Sequence, residues 1–179
     1  MQQQDILKKL TLKQKVISLK ESFTVMDEAG EPVYEVEGKL ISVGHKLTVR
    51  DMAGSEAAYI HQKFFALTPK YFIEVNGQPE AELKGHITLF KPHYTLETAQ
   101  GDWDIRGDFA QHEYEMKRNG ATVATVTRKW FTWGDTYLLD VPDDADALTA
   151  LGVMLAIDCV DADTNSAVGN TIAEGVNKK

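Results

Sequence analysis

The chain has 179 residues, of which 43% are hydrophobic and 26% charged, a composition that predicts one soluble domain with a buried core. Its net charge of −8 argues against general nucleic-acid binding, because that activity needs a basic footprint. The single cysteine, Cys159, excludes an intramolecular disulfide. With no apolar segment of signal-peptide length near residue 1, we expect a reducing, cytoplasmic location.

A fixed spacing between a glycine and a basic residue recurs through the chain. It occurs in Gly30-x8-Lys39, Gly54-x8-Lys63, Gly77-x8-His86 and Gly120-x8-Lys129. Apolar and polar side chains alternate between the two residues, and Asp or Asn accompanies the glycine in most of the turns. Alternation with a period of two, bounded by such turns, is typical of antiparallel hairpins. Each unit of about 24 residues therefore predicts two strands.

Twelve strands are predicted in chain order. They are residues 13–19, 22–28, 32–43, 45–51, 56–67, 70–76, 79–90, 92–98, 102–107, 111–117, 121–133 and 136–141. An open meander of this size would expose long edges, and closure into a barrel removes them. A propeller is disfavoured because its blades need roughly 40 residues each.

The last predicted element is a helix at about residues 144–161. Its uncharged part, Ala147 to Ile157, is too short to span a bilayer, and its apolar side chains are spread around most of the circumference. Such a helix must be buried on all sides. We therefore predict an all-β fold, an antiparallel closed barrel of about twelve strands around a buried C-terminal hydrophobic helix. Residues 1–163 would form this single domain, and residues 164–179 a weakly ordered tail.

Three stretches carry a resemblance to a known family: Lys39-Leu-Ile-Ser-Val-Gly-His-Lys-Leu, Lys129-Trp-Phe-Thr-Trp-Gly-Asp-Thr-Tyr and Ala156-Ile-Asp-Cys. Together they resemble the LURP-one-related family, over about residues 6–163. That family belongs to the tubby C-terminal-like superfamily, with phospholipid scramblases as relatives. The resemblance implies a twelve-stranded barrel around a central helix. Tubby domains bind phosphoinositide head groups and scramblases act at membranes, but no head-group residue of tubby domains is carried over to this chain.

The recurrent basic positions are the candidate binding residues, because the repeat places them at one level of the barrel. The predicted anion-binding patch consists of Lys39, Lys63, Lys84, His86, Lys91 and Lys129. The alternative is that these lysines are solvated strand residues that deter edge pairing, or partners of Glu35, Glu37 and Glu74.

Other candidates have mainly structural interpretations. Asp158 ends the apolar helix, and we expect it at the barrel mouth with a basic or backbone partner, although a buried carboxylate with a raised pKa also marks functional sites. Cys159 is expected to be a small core residue, and Trp130 and Trp133 are expected to pack in the barrel wall.

No metal-ligand spacing, P-loop, Rossmann glycine motif or nucleophile elbow occurs, so no catalytic residue, metal or cofactor is predicted. The resulting hypothesis is a non-enzymatic binding or scaffold module without a transmembrane segment. It would recognise an anionic ligand or a phospholipid head group through a local basic patch. The alternative hypothesis is a protein-interaction or regulatory module with no small ligand.

Overall fold

The computed structural model describes residues 8–13, 22–39, 44–78, 81–86, 91–131 and 134–176. Its twelve strands are β1 Lys8–Lys13, β2 Ser22–Met26, β3 Pro32–Lys39, β4 Lys46–Asp51, β5 Glu56–Gln62, β6 Lys70–Val75, β7 Ala81–His86, β8 His93–Glu97, β9 Trp103–Asp108, β10 Glu113–Arg118, β11 Ala121–Phe131 and β12 Gly134–Val141. Each strand pairs antiparallel with its neighbours in sequence, and β1 also pairs with β12. The predicted closed barrel of twelve antiparallel strands is confirmed.

The first strand differs from its prediction. It runs from Lys8 to Lys13 rather than over 13–19, and residues 14–19 lie outside the described ranges. Leu10 and Leu12 point into the core and are 0% and 3% exposed, so the alternation that builds β1 begins five residues before the predicted start. Six Cα pairs, from Lys8 with Val141 to Lys13 with Thr136, join β1 to β12 and close the ring.

A second difference concerns the prediction of one strand over residues 56–67. Strand β5 ends at Gln62, and residues 63–69 form a loop. The backbone N–H of Lys63 donates to the carbonyl of Lys70 at 2.9 Å, which turns the chain back on itself. Phe65 has a φ of 57°, a left-handed conformation outside the extended region of a regular strand.

Because consecutive strands alternate in direction, their connections alternate between the two ends of the barrel. One end, which we call the tight-turn end, contains the described connections 27–31, 52–55, 76–78, 98–102 and 119–120. The other contains the described connections 44–45, 63–69, 91–92 and 109–112. The chain enters the barrel interior at the tight-turn end, after β12. We call the opposite end the helix-exit end.

The entry of the helix is held by a cap and an ion pair. The side chain of Asp143 accepts from the Ala145 N–H at 2.9 Å and caps the 3-10 turn Asp144–Asp146. The buried carboxylate of Asp146 receives two hydrogen bonds from the guanidinium of Arg118 on β10, at 2.8 and 3.0 Å. These contacts set the position from which the helix enters the barrel.

The helix α1, Ala147–Val176, fills the barrel. Every residue from Ala150 to Ile157 is buried, so no face of this stretch meets water. A Cβ at Gly152 would lie 2.7 Å from Cγ2 of Ile73 on β6, which shows how closely the helix backbone approaches the wall. None of the helical residues described forms a stretch long and apolar enough to cross a membrane.

The helix does not end near residue 161 as the sequence predicted. Its backbone continues to Val176, through most of the segment 164–179 that was expected to be a tail. Residues 158–176 contain no proline, so every residue of this segment has a backbone N–H that can donate to a carbonyl of the helix. A helix that continues for the fifteen residues from 161 to 176 rises about 20 Å further.

Candidate functional site

The connections at the two ends of the barrel differ in charge. At the tight-turn end, the described connections and the helix entry contain three acidic residues in 27–31, one in 98–102 and three in 142–146, with no lysine or arginine. At the helix-exit end, the described connections 44–45, 63–69, 91–92 and 109–112 contain two lysines and two histidines and no acidic residue, while α1 leaves the barrel there with Asp158, Asp161 and Asp163. The chain is acidic as a whole, and the described connections at the helix-exit end are its positively charged counterpart, beside the acidic residues of α1.

A row of basic residues crosses three neighbouring strands at this end. Lys46 on β4 is the Cα partner of Lys39 on β3 and of His61 on β5, and Lys63 follows two residues after His61. We call Lys39, Lys46, His61 and Lys63 the β3–β5 basic patch. Like charges directly opposite each other destabilise a sheet, so such a row costs stability unless an anion is present.

The described members of the β3–β5 basic patch are held on the outer wall. The ring of His61 stacks on Tyr59 at 5.4 Å and contacts Phe72 at 5.2 Å, between ring centres. The ammonium of Lys63 lies 5.5 Å from the centre of the Phe72 ring. Lys46 and Lys63 are exposed, and within the ranges that the structure describes neither ammonium has a carboxylate partner. The side chain of Lys39 is outside the described part of the chain.

The six residues of the predicted anion-binding patch do not lie together. Lys129 is exposed on β11, which is six strands from β5 in the ring of twelve, and it therefore lies on the opposite side of the barrel from Lys63. Lys39 and Lys63 belong to the β3–β5 basic patch. Its other members, Lys46 and His61, were missed by sequence reasoning, because cross-strand register is needed to find them.

Lys84 belongs to a strip of ion pairs on the wall. Its Nζ lies 2.6 Å from Oε1 of Glu97 and 4.0 Å from Oε1 of Glu82, and the Nζ of Lys70 lies 3.2 Å from the same Glu82 oxygen. The hydrogen bond from Lys84 raises its own pKa and lowers the pKa of Glu97. Lys84 therefore fits the alternative interpretation, in which the lysines pair with acidic residues. Its partners are Glu82 and Glu97 instead of the expected Glu35, Glu37 and Glu74.

A cavity of about 880 Å³ opens beside the point where α1 leaves the barrel. His86, Lys91 and His93 line one side of it, and Asp161 of α1 lines another. The rings of His86 and His93 stack with centres 4.6 Å apart, and Nε2 of His86 lies 2.9 Å from Oγ1 of Thr95. The volume suits a small molecule, but because the lining carries both charge signs it favours neither an anion nor a cation.

A cluster of ionisable side chains surrounds the helix where it reaches this end. Oδ1 of Asp158 lies 3.1 Å from Nε2 of His112, whose ring centre is 4.5 Å from that of Tyr137 on β12. Burial raises the pKa of Asp158, and His112 opposes this rise. Burial also raises the pKa of Asp161, to about 6. Burial alone would lower the pKa of His112, but the contact with Asp158 and the charges of Asp158 and Asp161 outweigh it, and the net pKa is raised.

Three tyrosines complete this cluster. The hydroxyls of Tyr71 and Tyr114 are buried, and neither has a hydrogen-bond partner among the residues described. Burial raises the pKa of both, and it raises the pKa of Tyr94 to about 12. These phenols therefore stay neutral at physiological pH. Sequence reasoning missed His112, Asp161 and the tyrosines, because nothing in their local pattern shows that they meet around the helix.

Cys159 and the two tryptophans were predicted to have structural roles. Cys159 is a half-buried thiol that packs against the core. Trp133 and the side chain of Trp130 lie outside the described residues. Across the described ranges, no three His, Cys, Asp or Glu side chains are grouped as a metal site would require.

Comparisons with known proteins agree with this architecture. The family model described as LURP-one-related matches residues 8–158. The uncharacterized protein YxjI of Bacillus subtilis (strain 168) is 30% identical over 151 residues, which cover 84% of this chain and 92% of that protein. An X-ray structure of a protein from Arabidopsis thaliana superposes with a TM-score of 0.59 at 16% identity, over 87% of this chain and 91% of the plant chain, which shows a shared fold. With the family model covering most of its length, the chain belongs to the LURP-one-related family.

Proposed function

We propose that this chain is a non-enzymatic binding module that attaches to anionic phospholipid surfaces through the β3–β5 basic patch. The observation that supports the proposal is the row Lys39, Lys46 and His61 on adjacent strands, with Lys63 beside it, in a protein whose net charge is −8. Positive charge concentrated against the overall balance is the property that an anionic surface attracts.

The position of the helix determines how a surface approaches. Because α1 continues about 20 Å past Asp161, a flat surface cannot meet the whole rim of the barrel at once. It can meet one side. The side formed by β3 to β6 offers Lys46 and Lys63, whereas Lys129 on β11 faces away from it. The proposal therefore assigns binding to one sector of the barrel and none to Lys129.

The chemistry offered by this sector is attraction and positioning. Lysine ammonium groups bind phosphate and carboxylate groups as point charges. A cytoplasmic location, expected from the single cysteine, belongs to the same proposal because the cytoplasmic leaflet carries the anionic lipids.

Vesicle co-sedimentation tests the proposal. The full chain is mixed with phosphatidylcholine vesicles that do or do not contain phosphatidylserine. We expect binding only to the anionic vesicles, weakening as NaCl is raised. Lys46→Gln and Lys63→Gln should each weaken binding roughly fivefold, and together about 25-fold, since a lysine near such a surface contributes about 1 kcal/mol.

Lys129→Gln is the matched control, because it removes the same charge from the same end of the barrel on the opposite side. It should leave binding unchanged. An equal loss in Lys129→Gln and Lys63→Gln would show general electrostatic attraction in place of a patch. Competition by soluble glycerophosphoserine would indicate a site for one head group, and no binding to either vesicle would refute the lipid proposal and favour a protein partner.

A further inference from the structure

The loop between β5 and β6 holds two large apolar side chains entirely in water. Phe65 is 106% exposed and Leu67 is 104% exposed, relative to the fully accessible side chains. Single exposed apolar residues are ordinary on protein surfaces. Two of them at the tip of one short loop, directly after Lys63 of the β3–β5 basic patch, form a combined apolar and basic surface that needs an explanation.

The base of this loop is held by backbone hydrogen bonds and by a ring contact, and the exposed tip projects from it. The N–H of Lys63 donates to the Lys70 carbonyl at 2.9 Å, and the N–H of Gly85 donates to the Pro69 carbonyl at 2.8 Å. The ring of Phe64 lies over Gly44 so closely that a Cβ there would be 2.7 Å from the ring. Phe64, which is 42% exposed, thus contacts Gly44 at the base of the loop, and Phe65 and Leu67 are its tip.

The conformation of the tip is unfavourable for the residue that occupies it. Phe65 has a φ of 57°, a region in which the Cβ of an L-residue crowds the backbone and which glycine or asparagine adopts far more readily. An aromatic residue here gains little from packing, because its side chain is exposed to water and the ring contact recorded for it is with Phe64, at 6.5 Å between ring centres. The combination of backbone strain and full exposure at Phe65 indicates that its side chain contacts something outside the molecule.

We infer that Phe65 and Leu67 insert into the interfacial layer of an anionic bilayer while the neighbouring lysines hold the lipid head groups. This inference rests on the proposed function and deepens it, because it names the groups that leave water. The charge arrangement favours a lipid surface, since Lys46 and Lys63 stand beside the apolar tip and no acidic residue occurs in residues 63–69.

A protein interface fits the tip less well. Two side chains of this size bury on the order of 300–400 Å². A stable protein complex buries about 800 Å² on each partner. A protruding tip of two residues can enter a fluid interface without a complementary groove, which a second folded protein would have to supply.

A fluorescent probe at the tip tests the insertion. Phe65→Trp is placed in full-length protein, and the signal of the unsubstituted chain, with its three native tryptophans, is subtracted. With phosphatidylserine-containing vesicles we expect a blue shift of the added emission and quenching by brominated lipid. Met52→Trp is the control, because Met52 is 53% exposed in the β4–β5 turn at the opposite end of the barrel. Its emission should not change.

A second pair of variants separates binding from folding. Phe65→Gly removes the ring and relieves the positive φ, so the thermal midpoint should stay the same or rise, while affinity for anionic vesicles falls roughly tenfold or more. Leu67→Ser should weaken binding similarly, and Met52→Ser should not weaken it.

The outcomes distinguish this inference from the proposed function. One result would overturn the insertion and leave the proposed function standing. In that result the protein binds anionic vesicles and the binding depends on the β3–β5 basic patch, but the indole introduced by Phe65→Trp stays in water and Phe65→Gly binds normally. Absence of vesicle binding would overturn both. Self-association of the full chain that disappears in Phe65→Gly would overturn the insertion in favour of a contact between two copies.

Discussion

Asp161 is a carboxylate whose charged form is poorly solvated. It lies on α1 where the helix leaves the barrel, its Oδ2 atom is buried without a hydrogen-bond partner among the described residues, and burial raises its pKa to about 6. The nearby Asp158 raises it further and His112 opposes both. The folded protein therefore holds a proton on this group at pH values where the unfolded chain has released it.

This behaviour gives a signed prediction for the pH dependence of stability. Between the unfolded pKa near 4 and the folded pKa of about 6, the native state binds more protons, so the Asp161 contribution lowers the free energy of unfolding as pH rises. The raised pKa of His112 acts in the same direction at higher pH, since its stabilising proton is lost as pH rises through that value. The free energy of unfolding of Asp161→Asn should equal that of the wild type near pH 4 and be higher by about 1 kcal/mol at pH 7.

Urea unfolding monitored by circular dichroism at pH 4 and pH 7 measures this difference. Asp163→Asn is the matched control, because it makes the same change two residues along the helix at a carboxylate that is 52% exposed and contacts His45 at 2.8 Å. The free energy of unfolding of Asp163→Asn should differ from that of the wild type by less than about 0.5 kcal/mol at both pH values. A loss of stability in Asp161→Asn at pH 7 would contradict the assigned burial.

At the scale of elements, the contact between α1 and the wall depends on one glycine. Glycine lowers helix propensity by about 1 kcal/mol relative to alanine, so Gly152 is kept at a cost. The cost is explained by Ile73 on β6, whose Cγ2 would lie 2.7 Å from a Cβ at residue 152. A methyl group on a branched Cβ cannot move aside in a packed core.

Gly152→Ala should therefore destabilise the protein by about 1–3 kcal/mol. In an exposed helix the same substitution would be expected to increase stability. The measurement is urea unfolding of Gly152→Ala, Ile73→Ala and the double variant. Because Ile73→Ala removes the methyl group in conflict, the loss in the double variant should be smaller than the sum of the two single losses. Strict additivity would mean that the helix packs elsewhere.

At the scale of the whole molecule, the helix and the ring depend on each other. The large side chains of the buried stretch are Leu151, Val153, Met154, Leu155 and Ile157. Their burial contributes about 10 kcal/mol, which is comparable to the entire net stability of a domain. A twelve-stranded ring without this filling would enclose an empty apolar space.

Truncation after Val141 should accordingly abolish cooperative thermal unfolding, as followed by calorimetry. Truncation after Thr164 is the control, because it keeps the buried stretch and the contact between Asp158 and His112. The control chain should still unfold in one transition. A sharp transition in the chain that ends at Val141 would show that the barrel stands without its helix.

The sequence by itself determined the hairpins, the closed barrel and the buried helix. Each of these follows from local information: alternation with period two, turns such as Asn76-Gly77 and Asn119-Gly120, and a stretch apolar on all faces. The family resemblance rested on the same continuous stretches, and the family match confirms it. Equal spacing also predicts that the recurrent lysines stand at equivalent strand ends.

Only the tertiary structure decided which of those residues are neighbours. Strand order separates Lys63 from Lys129, register joins Lys39 to Lys46 and His61, and side-chain geometry pairs Lys84 with Glu97. The exposure of Phe65 and the raised pKa of Asp161 depend equally on what surrounds them. The physical reason is that alternation and turn formation are set within a few residues of chain, whereas adjacency, exposure and desolvation are set by closure of the ring.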